Sequence, residues 1–115
     1  MAEERDVSDA ALEEWRHRID TIDAQLMGLL NSRSACAVEI GKIKRRLGLP
    51  VYAPEREARI LDRMMRENPG PLDPLAVKRV FERIIDESRR LERMAGQENA
   101  PHQPESAEGR GGRVS

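Results

Sequence analysis

Apolar residues in the first half of the chain recur at alternating spacings of three and four positions, which places them on one face of an α-helix. Gly48 and Pro50 suit the end of this helix, because glycine adopts the left-handed cap and proline cannot continue the backbone ladder. Ser8 or Asp9 can cap its start. We call the face the first stripe, and it comprises Leu12, Trp15, Ile19, Ile22, Leu26, Leu29, Arg33, Cys36, Ile40, Ile43 and Leu47.

Two shorter helices are predicted after this long one. Pro54 suits the first turn of the second helix, and the Asn-Pro-Gly-Pro break at residues 68–71 ends it. Asp73 is the expected N-cap of the third helix, with Pro74 at its first position. Since no strand pattern is present, the fold is predicted to be all-α, with three helices per chain and the first very long. The apolar face of the third helix comprises Val77, Val80, Phe81, Ile84, Ile85 and Leu91.

Polar side chains interrupt two of these apolar faces. Arg33 stands within the first stripe, and Lys44 follows eleven residues later, which returns to within roughly 20° of the same helix face. Ser88 and Glu92 lie one turn apart on the third helix. Because a buried ion must be paired, Arg33 belongs either to an internal ion pair or to the wall of an anion site. Alternatively, both cations extend to water over their apolar stems.

The composition narrows the classes of protein that fit. Of 115 residues 36% are charged, yet the formal net charge is −1, so no strongly basic field exists to attract nucleic acid. Cys36 is the one cysteine, which excludes an internal disulfide, and its place on the first stripe predicts a small buried hydrophobe. His17 and His102 have no ligand constellation around them in the sequence, and we expect no metal site.

Both ends of the chain are expected to lie outside the helical domain, which is placed at residues 9–96. Residues 1–8 are acidic and lead into no apolar signal core, which predicts a disordered N-terminus and a cytoplasmic protein. Residues 97–115 are rich in Gly, Pro, Gln, Ser and charge, which predicts a disordered C-terminal tail.

The length of the first helix predicts a second subunit. From Leu12 to Leu47 it spans about 54 Å, whereas a compact domain of about 100 residues is roughly 34 Å across. The first stripe therefore extends beyond the globule, and a two-fold homodimer is the simplest cover for it. Arg16 lies too far from Arg33, and too far out of phase, to share a small ligand within one helix. It is either a surface residue or a contribution to the site of an antiparallel partner.

Five segments, taken in chain order, match a residue pattern that is shared by one family of proteins. They are Arg16-x-x-Ile19-x-x-Ile22-Asp23, Leu29-Leu30-x-x-Arg33, Ala37-Val38-Glu39-Ile40-Gly41-x-x-Lys44, Pro50-Val51-x-x-x-x-Arg56-Glu57 and Ile84-Ile85-x-x-Ser88-x-x-x-Glu92. From Leu12 to about Met94 the chain closely resembles the all-helical, AroQ-type chorismate mutases. The resemblance implies three helices per chain that interlock into a homodimer with two sites.

The resemblance also implies an activity, the Claisen rearrangement of chorismate to prephenate in phenylalanine and tyrosine biosynthesis. This reaction is unimolecular, so neither a cofactor nor a metal is expected. The substrate is a small dianion, and no nucleic acid or membrane is an expected partner. The implied site comprises Arg33, Lys44, Arg56, Glu57, Ser88 and Glu92 of one chain, with Arg16 contributed in trans by the other.

The implied reaction gives each of these side chains an expected role. Arg33 and the partner's Arg16 would bind the two substrate carboxylates, because a planar guanidinium matches a carboxylate with two hydrogen bonds. Lys44 would donate to the ether oxygen as its carbon–oxygen bond breaks. Glu57 would accept from the ring hydroxyl. The expected catalytic residues are Lys44, Glu92 and Arg33.

Supporting roles are implied for Arg56, which would order the loop or a carboxylate region, and for Ser88, which would bond near one carboxylate. Glu92 stands where some relatives carry Gln, and Ala53 stands where many relatives carry an acidic residue. A glutamate can donate to the ether oxygen only when protonated, so activity is expected to decline at alkaline pH. The alternative for Glu92 is a surface pair with Arg89 or Arg93. If the contact at Ala53 is made by the backbone amide, the alanine is harmless; if relatives make it through the side chain, the alanine is expected to weaken affinity for the ring hydroxyl.

Two other functions are compatible with parts of the pattern. An isochorismate-pyruvate lyase would share the scaffold and the framework of arginines and Lys44. The complete Arg56-Glu57 pair favours the mutase. A non-catalytic helical dimerisation or regulatory module would instead place apolar or random residues at the interruptions, whereas Arg33, Lys44, Ser88 and Glu92 are all polar.

Overall fold

Three helices make up most of the part of the chain that the structure describes. The computed structural model describes the backbone of residues 2–98 and the side chains of residues 8–97. The helices are α1 (Ala2–Leu47), α2 (Pro54–Glu67) and α3 (Pro74–Glu98), and the described residues contain no strand. The predicted all-α class with a very long first helix is confirmed. No helix within the described residues is both long enough and apolar enough to cross a bilayer.

The outer ends of α1 and α3 extend beyond the predicted boundaries. α1 begins at Ala2, so it includes residues for which the sequence predicted disorder, and Ser8 and Asp9 lie inside the helix instead of capping it. The sequence of residues 2–5, Ala-Glu-Glu-Arg, consists of residues with good helix propensity. α3 continues to Glu98. Met1 and residues 99–115, which are most of the predicted C-terminal tail, lie outside the described residues. The domain limits 9–96 stay a prediction.

The inner helix ends follow the predicted capping chemistry. Gly48 has φ +69°, and the amide of Leu49 donates to the carbonyl oxygen of Lys44 at 2.9 Å, which is the bond of a Schellman cap. The carboxylate of Asp73 accepts a hydrogen bond from the amide of Ala76 at 2.8 Å. Asp73 is therefore confirmed as the N-cap of α3.

The chain divides into two compact units, Met1–Arg33 and Ser34–Ser115. The first unit consists of the N-terminal part of α1, whose polar side chains form ion pairs within the helix, such as Arg18 with Glu14 at 3.3 Å. The Arg18 guanidinium also lies 4.5 Å from the centroid of the Trp15 ring. Its apolar residues on the first stripe are 48–69% exposed: Leu12, Trp15, Ile19, Ile22, Leu26 and Leu29. This face is not covered within the first unit.

The second unit holds the buried core, to which all three helices contribute. Ala37 comes from α1, Ile60 from α2, and Val77, Ile85 and Ala95 from α3. Burying an isoleucine contributes roughly 1.5–3 kcal/mol.

The first stripe is not buried throughout the second unit. Cys36 is exposed, so the prediction that it is a buried hydrophobe is wrong for this chain. Ile40, Ile43 and Leu47 are exposed as well. Helical periodicity places these residues on one face but does not say whether a neighbouring helix of the same chain covers it.

Candidate active site

Lys44 and Glu92 form an ion pair within the second unit. The Lys44 Nζ atom donates to Glu92 Oε1 at 2.8 Å and to the carbonyl oxygen of Val51 at 2.9 Å. The side chains of Lys44 and Glu92 are only 18% and 12% exposed. Lys44 therefore does not extend to water, as one reading of the sequence allowed, but belongs to an internal ion pair. Its partner is itself a residue that the sequence assigned to the site, and the suggested surface pairing of Glu92 with Arg89 or Arg93 is wrong.

The end of α1 brings the second acceptor to Lys44. Lys44 lies in the last turn of the helix, and the left-handed conformation of Gly48 reverses the chain directly after it. Val51 follows in the link to α2 and is half-buried. Because two oxygens accept hydrogen bonds from the ammonium, much of the free-energy cost of removing it from water is compensated.

The backbones of α1 and α3 touch beside this pair. A Cβ atom on Gly41 would lie 2.4 Å from the carbonyl oxygen of Glu92 and 2.7 Å from its Cα atom. Contacts this short require α3 to move, since the obstacles are backbone atoms rather than the end of a flexible side chain. Gly41 therefore sets how closely Glu92 approaches α1, one helical turn from Lys44.

Gly41→Ala is expected to destabilise the fold by about 1–3 kcal/mol and to reduce any activity that depends on the Lys44–Glu92 geometry. Urea unfolding followed by circular dichroism measures the first effect. Gly96→Ala is the matched control, because a Cβ atom there would meet Gly41 O at 3.5 Å and Arg45 Cβ at 3.6 Å, which is ordinary contact. Equal stability of the two variants would contradict this account.

Glu57 and Arg89 form a second ion pair, which links α2 to α3. Glu57 Oε2 lies 3.0 Å from Arg89 Nε, and the two side chains are 18% and 29% exposed. The sequence assigned Glu57 to the site but gave Arg89 no role there. The available signal was weak, because Arg89 follows Ser88 directly yet interrupts no apolar stripe.

Ser88 and Arg56 occupy different environments. Ser88 is half-buried, and its hydroxyl donates to the carbonyl oxygen of Ile84 at 3.1 Å. Arg56 is exposed on α2. It lines a shallow, mainly basic groove on α2 together with Arg59, Ile60, Asp62, Arg63 and Arg66.

Arg16 and Arg33 belong to the first unit. Arg16 is exposed, and its Nη1 atom lies 3.0 Å from Glu13 Oε2 one turn earlier. An exposed pair of this kind contributes only about 0–1 kcal/mol, so the Arg16 guanidinium can change partners at little cost. Arg33 is half-buried.

The chain is similar in sequence and in structure to known proteins. The family model described as chorismate mutase type II matches residues 15–93, which include every predicted site residue. The chain is 41% identical, over 85 residues, to a bifunctional chorismate mutase/prephenate dehydratase of Neisseria gonorrhoeae, covering 74% of this chain and 23% of that protein. It thus spans about a quarter of the length of such curated bifunctional relatives.

Shorter relatives match over most of their own length. A chorismate mutase of Methanocaldococcus jannaschii is 31% identical over 84 residues, which cover 71% of this chain and 84% of that one. The structure of a chorismate mutase (form II) from Thermus thermophilus superposes with a TM-score of 0.69 at 33% identity, covering 70% of this chain and 92% of the other. Neither the lyase nor the non-catalytic module receives support from these comparisons. The chain belongs to the type II chorismate mutase family.

Proposed function

We propose that this protein converts chorismate to prephenate. The observation that carries the proposal is the Lys44–Glu92 pair, two predicted catalytic residues held 2.8 Å apart and largely shielded from water in a chain of this family. In the reaction one carbon–oxygen bond breaks and one carbon–carbon bond forms within the same molecule, so no atom is gained or lost. The protein has to hold a reactive conformer and stabilise charge.

Lys44 supplies the charge stabilisation in this proposal. Negative charge builds on the ether oxygen as its bond to carbon breaks, and a preorganised ammonium gains strength as a donor at that moment. The bond from Lys44 to the Val51 carbonyl keeps the ammonium in place when Glu92 turns towards the substrate. Arg33 and the partner's Arg16 bind the substrate carboxylates, and a compact conformer results.

The side chain at position 92 is placed beside the ether oxygen in this proposal. Replacing Glu92 with glutamine keeps an acceptor oxygen for Lys44 and adds an amide donor for the ether oxygen. We therefore expect kcat of Glu92→Gln to exceed that of the unmodified protein. Steady-state rates for the two proteins provide the measurement.

Glu39→Gln is the matched control for this variant, because Glu39 forms an exposed pair with Lys42 at 3.3 Å. Its kcat should equal that of the unmodified protein. A kcat of Glu92→Gln no higher than that of the unmodified protein would reject the placement of residue 92 beside the ether oxygen.

The active form in this proposal is a homodimer in which Arg16 acts in trans. The exposed apolar residues of the first unit, among them Trp15, Ile19 and Leu29, support a partner helix. So does Arg16, whose weak pair with Glu13 leaves the guanidinium able to reach a ligand bound to another chain. The cytoplasmic location expected from the sequence stays a prediction.

A direct assay tests the proposed reaction. Purified protein is incubated with chorismate while the loss of its absorbance is followed, and prephenate is identified as the product. A parallel incubation with isochorismate, in which pyruvate is measured, tests the lyase. Turnover of chorismate without release of pyruvate is the expected result, and pyruvate release from isochorismate alone would replace the mutase with the lyase.

A further inference from the structure

The side chain of Arg89 lies against three groups, from α2, from the link before α2 and from α3. Its Nε atom is 3.0 Å from Glu57 Oε2 on α2, and its guanidinium lies 5.5 Å from the centroid of the Tyr52 ring in the preceding link. Its Nη2 atom pairs with Asp86, one turn earlier on α3. These contacts hold the guanidinium in one place, because a planar group that both stacks and donates is constrained on several sides.

The contact between Arg89 and Glu57 is close but incomplete as a hydrogen bond. Arg89 Nε is buried and makes no hydrogen bond of good geometry in the described part of the chain, although Glu57 Oε2 is only 3.0 Å away. A small rotation of the carboxylate would complete the bond. The orientation of Glu57 is thus governed by a cation whose own position is determined by α3.

Glu57 is the carboxylate at the start of α2 that is placed to recognise a neutral donor. Glu55, the other acidic residue in the first turn, is exposed, whereas Glu57 is largely buried. Ala53 precedes the helix and makes no side-chain cap, so it offers no competing carboxylate. With Oε2 facing Arg89, Oε1 of Glu57 remains to accept a hydrogen bond.

We propose that Arg89 is a positioning residue that orients Glu57 to recognise the ring hydroxyl of the substrate. This inference rests on the proposed function, and it assigns Arg89 a part in substrate specificity without contact to the reacting atoms. Without the guanidinium, the carboxylate is free to rotate and loses its alignment with the hydroxyl. The kcat/KM for a substrate that lacks the hydroxyl does not depend on how the Glu57 carboxylate is oriented.

The test compares chorismate with an analogue whose ring hydroxyl is replaced by hydrogen. For each protein the specificity ratio is measured, which is kcat/KM for chorismate divided by kcat/KM for the analogue. This ratio does not depend on the fraction of folded protein, so it stays informative if Arg89→Met is less stable. We expect Arg89→Met to lower the ratio by about tenfold, the loss of one charged hydrogen bond to substrate. Glu57→Gln should lower the ratio as well. The variant that carries both Arg89→Met and Glu57→Gln should have a ratio no lower than that of Glu57→Gln alone.

Arg90→Met is the matched control, because the neighbouring Arg90 forms an exposed pair with Glu87 at 2.9 Å; it should leave the ratio unchanged. An unchanged ratio in Arg89→Met, with both substrates affected equally, would overturn the inference while the proposed function stands. Absence of chorismate turnover in the unmodified protein would reject the proposed function and this inference with it.

Discussion

Replacing Lys44 with alanine is expected to lower kcat for chorismate by about a hundredfold to a thousandfold, the usual cost of removing one preorganised donor at a developing oxyanion. The loss has two parts. The ether oxygen loses its ammonium donor, and Glu92, which is only 12% exposed, loses the cation 2.8 Å away and is left as a poorly solvated carboxylate. Steady-state kinetics on purified, folded protein measure the effect.

Lys42→Ala provides the control for Lys44→Ala, because Lys42 lies on the same helix and pairs with Glu39 at 3.3 Å. Its kcat should stay close to that of the unmodified protein. Circular dichroism should show that both variants remain helical. A Lys44→Ala variant with near-normal turnover would refute the assignment of Lys44 as the donor.

Mixing two inactive variants is expected to restore activity if each site takes Arg16 from one chain and Lys44 from the other. Arg16→Ala and Lys44→Ala each disable both sites of their own homodimer. In a heterodimer, one site combines the intact Arg16 of one chain with the intact Lys44 of the other, and the second site carries both substitutions. An equal mixture should therefore recover about a quarter of full activity, since half of the dimers are mixed and each has one working site.

The mixing experiment has an internal control. A mixture of Lys44→Ala with Glu92→Ala should recover nothing, because these residues belong to one chain and pair within it, so every site retains a defect. If the Arg16→Ala and Lys44→Ala mixture stayed inactive after the subunits had exchanged, the contribution of Arg16 in trans would be refuted.

Much of the candidate site could be proposed from the sequence because ionic side chains on apolar helix faces are conspicuous. Lys44 and Glu92 each interrupt such a face, and the structure brings them together. Arg89 was missed because it interrupts nothing. Its partner Glu57 lies on another helix, and no local spacing connects the two. The exposed state of Cys36 was also misjudged, since a periodic pattern names a face of a helix and not what covers it.

The amino-acid sequence by itself determined the number of helices, the breaks between them and the caps at Gly48 and Asp73. These features depend on interactions within a few residues: backbone hydrogen bonds, the left-handed freedom of glycine and a side-chain carboxylate at a helix start. Only the tertiary structure decided that Lys44 binds a glutamate 48 positions away and that Glu57 faces Arg89. It also decided how near α3 comes to Gly41. Such pairings depend on how helix surfaces pack, a property of residues far apart in the chain that no local pattern encodes.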